Sequence, residues 1–138
     1  MDELRKIAAD TYNGAFELII EGDESSLLEG LEQAATSLNL WRRIGRENNV
    51  AIGLWLYSRG LHKAGMQSLA LEAAQESVRL ARVSSIDWLI ASSLEGLTRA
   101  SQGLPNFASL LTDTKDAIEI ISDEEDRKLI ESQFADLR

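Results

Sequence analysis

The stretch from Leu54 to Leu80 constrains the fold of this chain more than any other. It reads LWLYSRGLHKAGMQSLALEAAQESVRL, an apolar run that closes at Gly65 and an amphipathic run that follows at once. Apolar residues recur there at three- and four-residue intervals, the period of one helix face. Glycine suits the left-handed residue that ends a helix. The stretch therefore predicts a helical hairpin whose first helix, apolar nearly all round, is covered on several sides.

The rest of the chain also favours helix and predicts an all-α fold of about seven helices. Its 138 residues include one proline and no cysteine, and their number suits a single domain. We predict one all-helical domain over residues 1–138. It would consist of hairpins at about residues 2–45, 48–83 and 85–121, followed by a capping helix at about residues 123–138.

The charge is acidic overall, with a formal net charge of −9, but it is unevenly distributed. Residues 1–38 contain nine acidic and two basic residues, residues 39–103 contain five and eight, and residues 104–138 contain nine and four. Nucleic-acid binding depends on many Lys and Arg contacts to phosphate, so the acidic total argues against a nucleic-acid ligand. The positive middle of the chain instead predicts a partner that presents acidic groups.

Motifs for catalysis, metal binding and membrane insertion are missing from the sequence. His62 is the only histidine, and no cysteine or second imidazole accompanies it to share a metal. No nucleophile and base stand in a familiar pattern. The N-terminal sequence is polar, and no run approaches the ~20 apolar residues of a membrane-spanning helix. We therefore expect no enzyme, catalytic residue, metal, cofactor or membrane partner, and a cytoplasmic location.

Three glycines mark a weak internal repeat. They are expected to close the odd-numbered helices in the left-handed conformation, at intervals of 43 and 38 residues, and they are Gly22, Gly65 and Gly103. Seven residues before them stand small residues, namely Ala15, Ser58 and Gly96. Five residues after them stand Leu27, Ala70 and Ala108. Small residues at matched positions let the two helices of a hairpin approach closely. A period in this range is typical of helical solenoids.

On these residues the chain resembles the tetratricopeptide-type helical repeats. The match is best over residues 54–82 and next best over residues 88–121. Its long period is similar to that of the degenerate repeats found in bacterial regulators and signalling proteins. Leu27 departs from the pattern, since it replaces a small residue in the first copy, and the proline that follows the second helix in the family is absent. The resemblance implies a right-handed stack of helical hairpins, an α-solenoid. A plain antiparallel helical bundle is left open by the same residues.

The resemblance also implies a concave surface, lined by the odd-numbered helices, that binds a peptide or partner protein. Carried over position by position, it implies partner-binding residues at Tyr12, Asn13, Phe16, Trp55, Arg59, His62 and Lys63. The last four also share a helix face by their own spacing. An indole beside basic groups can bind an acidic or aromatic peptide. In the alternative interpretation, Trp55 is core and the basic residues neutralise acidic neighbours.

Two function classes follow from these observations. The first is a non-enzymatic protein–protein interaction module or scaffold. The second is a regulatory or self-assembly domain of a signalling or transcription-regulating system. Phe134 and Leu137 on the last predicted helix bear on the choice: they either cover the end of the stack or leave an apolar edge for a second subunit, so a homodimer stays open. We expect Trp41 and Trp88, on the apolar stripes of their helices, to pack in the core.

Overall fold

A computed structural model describes residues 2–137, and within them it contains seven α-helices and no strand. The helices are α1 (Asp2–Phe16), α2 (Leu27–Ile44), α3 (Glu47–Lys63), α4 (Gln67–Ser84), α5 (Asp87–Ala100), α6 (Phe107–Glu119) and α7 (Glu124–Phe134). A π-helical turn, Glu17–Glu21, continues α1, and short 3-10 turns cover Glu24–Ser26 and Ala135–Leu137. The predictions of an all-α chain and of seven helices are confirmed.

Left-handed glycines end several of the helices. Gly65 and Gly103 have φ angles of +77° and +83°, as the sequence predicts for helix stops. The same prediction is wrong for Gly22, whose φ of −84° and ψ of 175° are extended. The physical reason is that α1 does not stop in a left-handed turn but runs on through the π-helical turn. Asp23 then begins the next turn, because its carboxylate accepts a hydrogen bond from Ser25 N.

The helices α3 and α4 pack antiparallel through two buried serines. Ser58 Oγ donates to the carbonyl oxygen of Ala70 over 2.8 Å, and Ser77 Oγ donates to that of Ala51 over 2.7 Å. The residue number therefore falls along one helix as it rises along the other. The pair α3–α4 forms the hairpin that its sequence predicts.

The helices α1 and α2 are joined by an equivalent contact. Ser37 Oγ donates to the carbonyl oxygen of Ala8 over 2.7 Å, in the same sense as the contact between Ser77 and Ala51. Ala8 and Ala51 are 43 residues apart, which is also the interval between the first two repeat glycines. The first two helix pairs are thus closed by the same kind of serine–carbonyl hydrogen bond.

The centre of the fold is α3, which contacts α1, α2, α4 and α5. Its buried residues lie on several of its faces and include Val50, Ala51, Leu54, Trp55, Leu56 and Leu61. This confirms the prediction that an all-round apolar helix is covered on more than one side. Within residues 2–137, neither this helix nor any other is both long and apolar enough to cross a membrane.

The last helix, α7, packs against α5 and α6. Ile130 and Phe134 on α7, and Leu137 in the turn that follows it, are buried in one cluster with residues of α5 and α6. Of the two interpretations that the sequence leaves open for Phe134 and Leu137, the structure shows the first. They cover the end of the helical assembly and leave no exposed apolar edge of their own.

Candidate functional site

A cavity of about 620 Å³ opens between α1, α3, α5 and α7. It is lined by Tyr12, Asn13, Phe16, Glu17, Glu21, Ile52, Trp55, Trp88, Ser92, Leu129, Ile130 and Gln133. Ligand pockets in proteins usually enclose roughly 300–1,000 Å³, so this cavity has room for one or two side chains of a partner. We call it the α1–α7 cavity.

Four of the seven residues implied by the repeat resemblance line the α1–α7 cavity: Tyr12, Asn13, Phe16 and Trp55. The other three, Arg59, His62 and Lys63, are not among its lining residues. Sequence reasoning missed the contribution of α7 altogether. Trp88, which the sequence places in the core, is only partly buried: it packs against two core clusters and also lines the cavity together with Ser92 of the same helix.

Aromatic rings form one wall of the cavity. Tyr12 and Phe16 lie one turn apart on α1, with ring centroids separated by 6.4 Å, and Phe16 lies 6.2 Å from Trp55 of α3. Both pairs are tilted, an arrangement that aromatic quadrupoles tolerate well. Burial raises the pKa of the Tyr12 phenol, so the hydroxyl keeps its proton at neutral pH. The wall is therefore apolar, with one hydroxyl that can donate or accept.

Trp55 forms the floor and is held from three sides. Its indole Nε1 donates a 2.7 Å hydrogen bond to Oε1 of Glu95 on α5, and only 1% of the residue is exposed. The Arg59 guanidinium carbon lies 5.7 Å from the centroid of its ring, close enough for cation–π attraction. Gly96 packs directly against the indole: a β-carbon at this position would lie only 2.8 Å from Trp55 Cδ1.

Glu95 is a fully buried carboxylate that two arginines neutralise. Arg59 Nη1 lies 3.3 Å from Oε1, and Arg99 Nε lies 2.8 Å from Oε2. Buried charges survive in proteins only when they are paired and hydrogen-bonded in this way. The contact with Glu95 also explains how the charged side chain of Arg59 can be largely buried, with 11% of it exposed. Burial lowers the pKa of Arg59, and the carboxylate of Glu95 opposes that shift.

Arg99 extends this network to the end of the chain. Its Nη1 and Nη2 each donate to one carboxylate oxygen of Asp136 over 2.7 Å, and Nη2 also donates to the carbonyl oxygen of Gln133 over 3.0 Å. Burial opposes the charge of Arg99, but its contacts with Asp136 and Glu95 outweigh burial and raise its pKa. The hydrogen bond from Arg99 lowers the pKa of Asp136 to about 2. One ionic chain thus connects the floor of the cavity with its α7 wall.

The two remaining predicted residues of α3, His62 and Lys63, lie outside the network around Glu95. Lys63 Nζ donates to the carbonyl oxygen of Ile19 in the π-helical turn, where it closes the end of α1. His62 is partly buried, and burial, followed by the positive charges of Arg99 and Arg59, lowers its pKa. Of the basic residues that the spacing predicts on one face, Arg59 is therefore paired in the interior, while Lys63 is exposed and bonded to the π-helical turn.

The charged side chains that line the cavity are acidic rather than basic. Glu17 and Glu21 of the π-helical turn line it, both are exposed, and among the described lining residues they are the two that carry a charge. Gln133 lines the opposite side, and its Oε1 is buried without a hydrogen-bond partner in residues 2–137. Two exposed carboxylates and one buried amide oxygen therefore accompany the aromatic wall.

Comparison with known proteins adds no assignment to this geometry. No protein-family model, no curated protein and no solved structure matches the chain. Within the described residues, no group of three or more His, Asp or Glu side chains is placed to hold a metal ion. The functional conclusion rests on the α1–α7 cavity.

Proposed function

We propose that this chain is a non-enzymatic interaction module that binds a peptide segment of a partner protein in the α1–α7 cavity. The observation that carries the proposal is the aromatic lining of a cavity of about 620 Å³, formed by the Tyr12 and Phe16 wall, the Trp55 floor and Trp88. Tyrosine and tryptophan dominate binding energy at protein interfaces, because they offer a large and rigid apolar area. The occupant would place an apolar or amphipathic side chain between these rings.

We further propose that the helix pairs stack as a tetratricopeptide-like right-handed α-solenoid. The serine–carbonyl contacts that close α1–α2 and α3–α4, whose acceptors Ala8 and Ala51 lie 43 residues apart, support this proposal. The cavity also fits it, because α1, α3 and α5 line it side by side. In such a stack the odd helices form the concave surface and the even helices the outer layer.

An acidic partner, which the charge distribution of the sequence predicts, finds little support in the geometry of this cavity. Arg59 is committed to Glu95, Lys63 to the π-helical turn, and the charged lining residues are Glu17 and Glu21. The self-assembly alternative also loses its strongest motive, because Phe134 and Leu137 are buried. A peptide with apolar groups and without a run of acids fits best.

The test is selection from a phage-displayed library of random peptides on the immobilised full chain. The enriched peptides are then synthesised, and their affinities are measured by calorimetry for the wild type and for two matched variants. Asn13→Trp fills the cavity from an exposed position on α1, and Asn39→Trp places the same side chain at an exposed position of α2 away from it. We expect binding to be lost in the first variant and kept in the second.

Two results would overturn the proposal. One is a selection that enriches no peptide above an uncoated surface. The other is a peptide that binds wild type and Asn13→Trp equally well while both proteins give the same helical circular dichroism. In the second case the chain would bind through a surface other than the α1–α7 cavity.

A further inference from the structure

We propose that the anchor of the partner is a cation, namely a Lys or Arg side chain that enters the α1–α7 cavity beside an apolar residue. This inference rests on the proposed function and specifies its ligand. It follows from three features of the cavity: the sign of its charge, an unpartnered acceptor in its wall and the chemistry of its rings.

The charge of the cavity is negative because of the local shape of α1. Glu17 and Glu21 are one turn apart in the π-helical turn and both line the cavity. Their helix also lies in the most acidic part of the chain, since residues 1–38 contain nine acidic and two basic residues. No described basic residue lines the cavity to offset them. A cation is attracted to this opening, and an acidic side chain is repelled.

An acceptor in the α7 wall complements the two carboxylates. Gln133 Oε1 is buried and has no hydrogen-bond partner within the described part of the chain. A buried acceptor without a partner is unfavourable, so natural structures seldom keep one. Because Gln133 lines the cavity, a rotation of its side chain would bring this oxygen to a donor supplied by a ligand. Guanidinium and ammonium groups carry several donors and no acceptor, which matches an opening rich in oxygen acceptors.

The ring faces favour the same kind of group. A cation within about 6 Å of an aromatic centroid is attracted by the negative face of the ring, most strongly for tryptophan. The protein already shows this contact internally, between Arg59 and Trp55. Tyr12, Phe16 and Trp88 present further rings at the cavity, and the aliphatic stem of Lys or Arg packs well on such surfaces. A long basic side chain therefore meets both the apolar and the polar parts of the site.

The experiment uses the peptides selected above and two charge variants of the full chain. The double variant Glu17→Gln/Glu21→Gln removes both carboxylates from the cavity. The control Glu29→Gln/Glu32→Gln changes the net charge by the same amount at exposed positions of α2 that do not line it. Affinities are measured at about 0.05 M and 0.5 M salt, because exposed charge pairs are screened within roughly 10 Å at 0.1 M salt.

We expect the enriched peptides to share a Lys or Arg next to an apolar residue. Replacing that basic residue by Gln, or using the cavity double variant, should weaken binding about tenfold or more at low salt, and the control variant should bind like wild type. If peptides bind and Asn13→Trp abolishes their binding, but they lack a shared basic residue and are insensitive to Glu17→Gln/Glu21→Gln, the cation anchor is wrong and the interaction module stands. If no peptide is enriched, both proposals fall.

Discussion

The indole of Trp55 donates a 2.7 Å hydrogen bond to the carboxylate of Glu95, across 40 positions of the sequence. Glu95 has no exposed surface, so this bond forms in a low-dielectric interior where its strength is high. The same carboxylate balances Arg59 and Arg99. The floor of the cavity is thus positioned by an ionic centre on the neighbouring helix α5.

Removing the charge of Glu95 should destabilise the protein strongly. In Glu95→Gln, the buried guanidinium groups of Arg59 and Arg99 lose their shared counter-ion while the shape of the side chain is kept. Breaking a buried ion pair on one side costs about 3–5 kcal/mol. We expect a loss of that order in the free energy of unfolding, measured by urea denaturation at neutral pH.

Glu76→Gln is the matched control, because Glu76 pairs with Arg79 on an exposed face of α4. Exposed ion pairs contribute only about 0–1 kcal/mol. Equal effects of the two substitutions would show that Glu95 is not the buried ionic centre described above.

Two helical glycines should respond to alanine with opposite signs. A β-carbon at Gly96 would lie 2.8 Å from Trp55 Cδ1, whereas at Gly53 the nearest atom, Leu38 Cδ1, would lie 3.4 Å away. Alanine gains about 1 kcal/mol over glycine in a helix interior at either site. Overpacking at Gly96 should reverse that gain, because it costs about 1–3 kcal/mol. Thermal unfolding of the two variants decides: a Gly96→Ala protein as stable as Gly53→Ala would rule out the close packing of α5 on Trp55.

The contact between Arg99 and Asp136 should make stability depend on pH in acid. The pKa of Asp136 is lowered from 3.8 to about 2, so the folded state favours the ionised form. The stabilisation is therefore complete above about pH 4 and is lost as the pH falls through about 2. We expect the stability difference between wild type and Asp136→Asn, measured by urea denaturation at several pH values, to shrink over that window. A difference that stays constant from pH 5 to pH 2 would contradict the ion pair.

The single histidine offers a direct reading of the electrostatics of α3. Burial and then the charges of Arg99 and Arg59 lower the pKa of His62, so we expect its NMR titration midpoint below the ordinary 6.5. Neutral His62 then supports folding above about pH 6.5, and this support is lost as the pH falls through the lowered midpoint. Arg99→Met should move the midpoint upward. A wild-type midpoint at or above 6.5 would contradict the burial of His62 together with its positive surroundings.

Much of the helical framework can be predicted from local patterns. The all-round apolar run of α3 predicts a central helix, and Gly65 and Gly103 predict left-handed stops, because both signals depend on neighbours in the sequence. The prediction of a left-handed helix stop is wrong at Gly22 for a different reason. The π-helical turn that carries α1 past Phe16 has no strong sequence signature, and it is closed by Lys63 from a distant helix.

The candidate site could be predicted only in part. The four-residue spacing of Trp55 and Arg59 correctly places the guanidinium near the indole, since that distance is set within one helix. It does not reveal that Glu95 reaches both of them from α5, because this depends on how two helices dock. Gln133 reaches the cavity only through the docking of α7. Long-range packing thus gives the α1–α7 cavity two acidic lining residues, Glu17 and Glu21, where the sequence predicts a basic face.

The most direct test of the interaction module is an NMR titration of the tryptophan indole signals with the tightest peptide from the selection. Trp55 and Trp88 line the α1–α7 cavity, while Trp41 is buried on α2 away from it and serves as an internal reference. We predict that the indole cross-peaks of Trp55 and Trp88 shift with saturation of the peptide and that the Trp41 cross-peak stays in place. Saturating binding that shifts neither Trp55 nor Trp88 would contradict a peptide site in this cavity.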